Sequence, residues 1–306
     1  MKIPNLKTFC LLAMGLLAAC TKNSSPKTIY DTVTVTKTDT LQLPPPDDTP
    51  NLTNGLVLYL PFTNGSYADS SGLGNVVTAI NGATLGYDMH GYAKSAFNET
   101  GNYAVLDVAN NGSYAVDTAF SVSLDFMIRS YPYYPGDGNY SGLQSLLSIA
   151  SPNGPEATSI TFNIGFGDPD VPTVFTFGVN GSNAVCGSTA PNPENVWDIT
   201  SFTPQLGAWY NAICTYTQGI GSVYINGNLM VSKRVTSTDS ALFCPDAHFT
   251  VGGVSGGEAV NGEIDEVRFY NRTLTAQQIA WLSRNFQINS TARKPGLQRG
   301  GSPGLN

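Results

Sequence analysis

Residues 261–281 read NGEIDEVRFYNRTLTAQQIAW, and this stretch decides the fold. Gly262 to Tyr270 carries Ile264, Val267, Phe269 and Tyr270, β-branched and aromatic residues that suit a half-buried pleated surface. A last β-strand is expected there. Thr275 is a good helix N-cap, and Gln278 completes a capping box in which each residue satisfies an orphan backbone N–H of the other. Leu274 before the cap and Ile279 after it have the spacing of a hydrophobic staple. Ile279 and Leu282 fall on one side, so a short closing helix can lie against the sheet.

Working outward, the composition from Gly55 to about Phe286 is globular and all-β. Gly and Pro are frequent, charge is sparse, and short apolar runs alternate with turn clusters. The segment is long enough for one large sandwich with a real core. Further strands are expected at 56–62, 103–108, 120–129, 145–150, 160–166, 173–179, 209–217, 222–225, 229–235 and 249–252. Phe120, Val122, Leu124, Phe126 and Ile128 alternate and point one way. Asn226-Gly227, between VYI and LMV, is a strong hairpin signal, because a type I′ turn needs positive φ at both central residues. Many strands with one terminal helix predict two packed antiparallel sheets.

The run I-D-E-V-R-x-Y-N-R-x-L-T-x-x-Q-I, from Ile264 to Ile279, resembles the C-terminal hallmark of laminin-G-like domains of the concanavalin A-like superfamily. LVLYLPFTNGSYADSSGLGN resembles that family's opening strand and its D-x-S-G-x-G-N loop; SAFNETGNYAVLDV and WYNAICTYTQGIGSVYINGNLM resemble a strand pair and a hairpin of the same family. The resemblance implies an all-β, two-sheet antiparallel jelly-roll sandwich with a short C-terminal helix. It also implies a calcium site in which an aspartate of the last strand is joined by backbone carbonyls from the first-strand region. The matching residue is Asp265, with Pro61 as the carbonyl donor; Asp69 and Asn75 are further oxygen donors, the chemistry calcium prefers. The alternative is that Asp265 only accepts backbone hydrogen bonds at a strand bend. Trp209 matches a core position of the family and is assigned to packing.

The N-terminus reads as an export signal over 1–19. Lys2 and Lys7 make a basic start, and Phe9 to Ala19 is apolar but too short for a convincing membrane span. Leu17-Ala18-Ala19-Cys20 resembles the lipobox of bacterial lipoproteins, which implies lipidation of Cys20 and a membrane anchor made of acyl chains. The alternative is a plain secretory signal with an incidental cysteine. Residues 20–54 are Thr-rich and then Pro-rich, the composition of an extended stalk. The domain is expected over 55–286, and the Gly/Pro-rich 287–306 is expected to be disordered. Thr21, where an aspartate would signal inner-membrane retention, points to the outer membrane of the cell envelope. Lys22 to Ser25 lacks the acidic cluster of known surface-export signals, so the side it faces stays open.

With 15 basic against 22 acidic residues the net charge is −7, and no basic run offers a phosphate footprint; nucleic acid is not an expected partner. Cys186 and Cys244 flank loops and are a candidate pair in an oxidising compartment, while Cys214 lies in an apolar strand and is expected in the core. Gly253-Val254-Ser255-Gly256-Gly257 matches G-x-S-x-G, but a strand follows where a nucleophile elbow needs a helix, and both histidines, His90 and His248, precede the serine. Glu263-Ile264-Asp265-Glu266 echoes the carboxylate cluster of laminarinase-type glycosidases. Its second glutamate is replaced by Val267 or Arg268, and it stands in the last strand rather than mid-chain. An enzyme is not expected.

Sugar binding needs aromatic faces beside polar groups. The loop 130–142 holds Tyr131, Tyr133, Tyr134 and Tyr140, and Trp197 sits in another polar loop. These are the candidate carbohydrate contacts, set against a role as cover for the sandwich edge or core. The expected function is recognition of a glycan or a surface protein by a lipid-anchored domain. A structural or adhesion module without a small ligand is the alternative, and a divergent glycoside hydrolase or lyase is the third reading.

Overall fold

The computed structural model describes residues 49–80, 82–100, 104–109, 111–112, 114, 117–130, 144–150, 160–166, 175–183, 186, 197–242, 244–252, 258–259 and 261–291. The strands are β1 (Leu56–Leu60), β2 (Val77–Ile80), β3 (Thr84–Tyr87), β4 (Ala93–Thr100), β5 (Val105–Val108), β6 (Ala119–Ser130), β7 (Gln144–Ala150) and β8 (Ile160–Phe166). They continue with β9 (Phe175–Val179), β10 (Trp197–Ile199), β11 (Trp209–Thr217), β12 (Ile220–Ile225), β13 (Asn228–Arg234), β14 (His248–Val251), β15 (Glu258–Ala259) and β16 (Asn261–Tyr270). One helix, α1 (Ala276–Thr291), follows.

The strands form two eight-stranded sheets. The first runs β13-β12-β11-β6-β16-β4-β3, with β1 also on β16; the second runs β10-β9-β8-β7-β14-β5-β2, with β15 beside β7. Every pairing is antiparallel except that of β15 with β7. This is the expected jelly-roll sandwich.

The core lies between the sheets. The alternating set Phe120, Val122, Leu124, Phe126 and Ile128 of β6 is fully buried in it. Phe126 stacks on Phe175 from the opposite sheet at 5.6 Å, and Phe120 meets Phe177 edge-on at 6.1 Å. Asn226 and Gly227 take φ of 50° and 80°, as the hairpin between β12 and β13 requires. Cys186 and Cys244 are joined in a disulfide, and Cys214 is buried in the core.

Several expectations are corrected. Strands β2, β3 and β10 go beyond the expected set, and β3 carries too few β-branched residues to announce itself; β4 is the first strand of the expected pair, and the strand expected from Glu258 onward divides into β15 and β16. Asn51 and Leu52 belong to the domain rather than to a stalk, since Gln278 Nε2 donates to the Asn51 carbonyl and Leu52 packs beside Tyr270 and Leu274. The helix continues to Thr291, past the boundary expected at 286. Trp209 is half-buried at the start of β11 rather than in the core.

Candidate functional site

The outer face of the first sheet carries the site, and β16 makes it. Asn261 to Ile264 pair with β4, whereas Val267 to Tyr270 pair with β1. Asp265 and Glu266 stand at the handover, where the pairing with β6 is also interrupted by a bulge between Asp265 and Arg268. Glu266 has φ of 52°, a left-handed conformation that a residue with a side chain adopts at a cost. The Asp265 carboxylate holds the bulge by accepting the Glu266 N–H at 2.8 Å. Bulges re-aim side chains next to functional sites, and here the bulge turns neighbouring acids toward the same space.

That space is a cleft of about 650 Å³. It is bounded by the turn after β1 (Pro61, Asn64), the connection from β3 into β4 (Asp88, His90, Tyr92), strands β6 and β16, and α1 (Trp281, Asn285). Phe62, Asn64 and Lys94 also have positive φ, so four of the six such non-glycine residues among the described residues are in or beside the cleft. Strain of this kind gathers where geometry is held for a purpose.

Asp125 of β6 is the register partner of Asp265, and both are nine-tenths buried. Asp125 Oδ1 accepts the side-chain amide of Asn211 at 2.7 Å, and Asn211 is in turn held by the Ser283 hydroxyl of α1 at 3.0 Å. Among the described residues neither Oδ2 receives a hydrogen bond. Burial, reinforced by Glu266 and Asp125, pushes the Asp265 carboxyl up to about 9. Burial also pushes Asp125 up to about 7, against the hydrogen bond from Asn211. Arg268 draws Asp125 down only in part: it pairs with Glu266 Oε2 and lies over the Tyr59 ring at 4.1 Å, while Tyr59 donates its hydroxyl to the same oxygen at 2.9 Å.

The predicted metal set divides. Asp265 and Pro61 line one cleft. Asp69 and Asn75 do not line it and are spent on a loop: Asp69 accepts from the backbone of Tyr59, Ser71 and Asn75 and from the side chains of Ser71 and Asn75. Burial alone would raise the Asp69 carboxyl, but these bonds outweigh it and hold it below the usual range. Asn75 also donates to the Val57 carbonyl and accepts from Asn111. The remaining pair fits calcium by one observation, a nine-tenths buried carboxylate with an unbonded oxygen next to a carbonyl-bearing turn. Among the described residues no three acidic, histidine or cysteine side chains converge on one point.

The other predicted positions are quickly placed. Cys20, Tyr131, Tyr133, Tyr134, Tyr140 and the Gly253 to Gly257 turn lie outside the described residues, and Trp197 opens β10. Glu263 is occupied, with Oε1 bonded to Arg129 at 3.0 Å. His248 faces Asp107 at 2.8 Å on the second sheet, away from the cleft. Sequence reasoning missed Asp125, Tyr92, Trp281 and Asn285. The one available signal was an acid in the outward phase of β6, a strand whose neighbouring positions are apolar.

The chain belongs to the concanavalin A-like lectin/glucanases superfamily; a laminin-G family model matches residues 98–280. No curated protein matches it. Among solved structures it is similar to the binding domain of Botulinum neurotoxin DC in complex with rat synaptotagmin II, at 16% identity and a TM-score of 0.53 over 77% of this chain and 52% of that one. The same binding domain in complex with SialylT gives 16%, 0.51, 77% and 52%. Domain 4 of AbnA, a GH43 extracellular arabinanase from Geobacillus stearothermophilus, in complex with arabinotriose, gives 20% identity and 0.52 over 74% of this chain and 98% of that one. The chain thus spans about half the length of the toxin domains. At these identities the likeness is one of fold.

Proposed function

We propose that this chain is a non-catalytic glycan-recognition module, held to the cell envelope by lipid on Cys20 and displayed on an extended stalk. The observation that carries the binding reading is the cleft: a concave, water-reachable space with buried polar groups on its floor and aromatic side chains on its walls. Structures of the same fold that hold arabinotriose or a protein receptor support it by analogy. The disulfide fits an exported protein. Calcium would be held by the Asp265 carboxylate and a carbonyl of the Pro61 turn, where it would neutralise the buried acid and fasten the turn. Tyr131, Tyr133, Tyr134, Tyr140 and Trp197 stay in the proposal as further aromatic contacts.

A glycan array probed with the Cys20→Ser chain tests this. Saturable retention of an oligosaccharide class is expected; no retention of any saccharide would favour the adhesion-module reading. One observation favours hydrolysis as a second reading. Asp125 and Asp265 are register partners on adjacent strands, so two carboxyls stand side by side on one face, the kind of pair that glycoside hydrolysis uses. Against it, burial raises both carboxyls, whereas a nucleophile must stay ionised. New reducing ends released from a retained oligosaccharide, and lost with Asp125→Asn, would establish the second reading.

A further inference from the structure

We infer that the cleft between α1 and the β3–β4 connection is the saccharide site, and that it selects neutral sugars over acidic ones. The inference rests on the glycan reading and adds the place and the ligand class.

The floor asks for both a donor and an acceptor. Asp125 Oδ2 receives no hydrogen bond among the described residues, although the residue is only 5% exposed. On α1, which also lines the cleft, the side-chain amide Nδ2 of Asn285 has no hydrogen-bond partner; it is shielded from solvent and meets a ligand only when the side chain turns toward the cleft. A sugar hydroxyl donates and accepts with one atom and serves either need. An ammonium could satisfy only the acceptor, and a carboxylate or phosphate only the donor. Unpaired buried groups of this kind are costly until a ligand pairs them.

The walls suit the other half of a sugar. Trp281 is half-buried on α1, and Tyr92 is 51% exposed opposite it, with the His90 ring edge-on at 6.1 Å. Rings with a polar tip beside hydroxyl-binding groups match the apolar C–H face of a pyranose or furanose. The volume falls in the range of small-ligand sites.

Charge decides between sugar classes. Asp88, Asp125, Asp265 and Glu266 line the cleft, and the one guanidinium among its described lining residues, Arg268, is engaged by Glu266. With calcium removed, a sialic or uronic carboxylate entering there would meet Asp88 and Glu266 and, among the described lining residues, no lysine and no arginine left unengaged.

The test titrates the Cys20→Ser chain, in EDTA, with neutral pentose and hexose oligosaccharides and with the same backbones bearing uronic or sialic acid, by calorimetry and tryptophan emission. Neutral members of at least one backbone should bind at least tenfold tighter than their acidic counterparts. Tyr92→Ala, at an exposed position, should weaken that binding at least tenfold with an unchanged melting temperature, and Trp281→Phe should remove the emission change. Tighter binding of the acidic sugars would overturn the selectivity. Neutral-sugar binding lost in Tyr133→Ala/Tyr134→Ala but intact in Tyr92→Ala would overturn the cleft assignment and leave the glycan reading standing. No binding to any saccharide would overturn both.

Discussion

Two carboxyl groups, Asp125 and Asp265, set the chemistry at the residue scale. Both are register partners on the outer face of the sheet, and burial raises both above the usual carboxylate range. The direction of the pH effect follows. An acid that begins to ionise near 3.8 when exposed but near 9 in the folded chain, as Asp265 does, keeps its proton only in the fold. The stability it supports is full below about 4 and is lost as pH rises toward 9. Asp125 and Glu263, each raised to about 7, act in the same sense over a narrower window. In chelator, the melting temperature should therefore fall between pH 5 and pH 9. Asp265→Asn, which cannot ionise, should flatten that slope. A slope equally steep in wild type, Asp265→Asn and Asp125→Asn would show that the pair does not ionise on unfolding. Asp265 was legible in the sequence because its motif is local. Asp125 was not: the same residue on an uncovered strand would be an ordinary surface acid, and it is the distant β11, β16 and α1 that enclose it.

At the element scale, α1 shows how much a local signal can carry. Thr275 and Gln278 form the capping box, with Thr275 N donating to Gln278 Oε1 at 3.0 Å and Gln278 N to Thr275 Oγ1 at 3.2 Å. Leu274 and Ile279 are buried together with Tyr270 and Ile213, as a staple requires. These contacts involve neighbours in sequence, so spacing revealed them. What spacing could not reveal is that Gln278 also ties the helix to the chain's start: its amide donates to the Asn51 carbonyl, and its oxygen accepts from Arg272. Thr275→Ala should cost about 1 kcal/mol, the usual loss for a cap. Gln278→Ala should cost distinctly more, because it also removes the bonds to the Asn51 carbonyl and to Arg272. Urea denaturation of the two variants checks the order; equal losses would mean the Asn51 and Arg272 bonds contribute nothing. The strand β16 reads the same way. Its apolar residues announced a strand, but the bulge that creates the cleft depends on β4 ending its pairing where β1 begins, a fact of tertiary register.

At the scale of the whole molecule, β16 brings the end of the domain onto its beginning. Tyr59 and Glu266 are 207 residues apart and share a hydrogen bond. Such closures are costly in chain entropy, and whatever fastens them in the folded state alone stabilises the whole. A calcium ion held between Asp265 and the Pro61 turn would act at that seam, since Pro61 follows β1 directly. An ion at a hundredfold excess over its Kd contributes about 2.7 kcal/mol. For a domain of this size each kcal/mol moves the melting temperature by about 2–4 °C. Millimolar calcium should therefore raise the melting temperature by several degrees, and EDTA should reverse the rise. Asp265→Asn should abolish the response, whereas Asp69→Asn should keep it, because the Asp69 oxygens are already bonded within their own loop. The quantity to compare is the calcium-induced shift in each variant, since either substitution can lower the baseline by removing acceptors. A wild-type melting temperature that is the same in EDTA and in calcium, after confirmed metal removal, would end the calcium proposal and leave the proton as the only means of relieving Asp265.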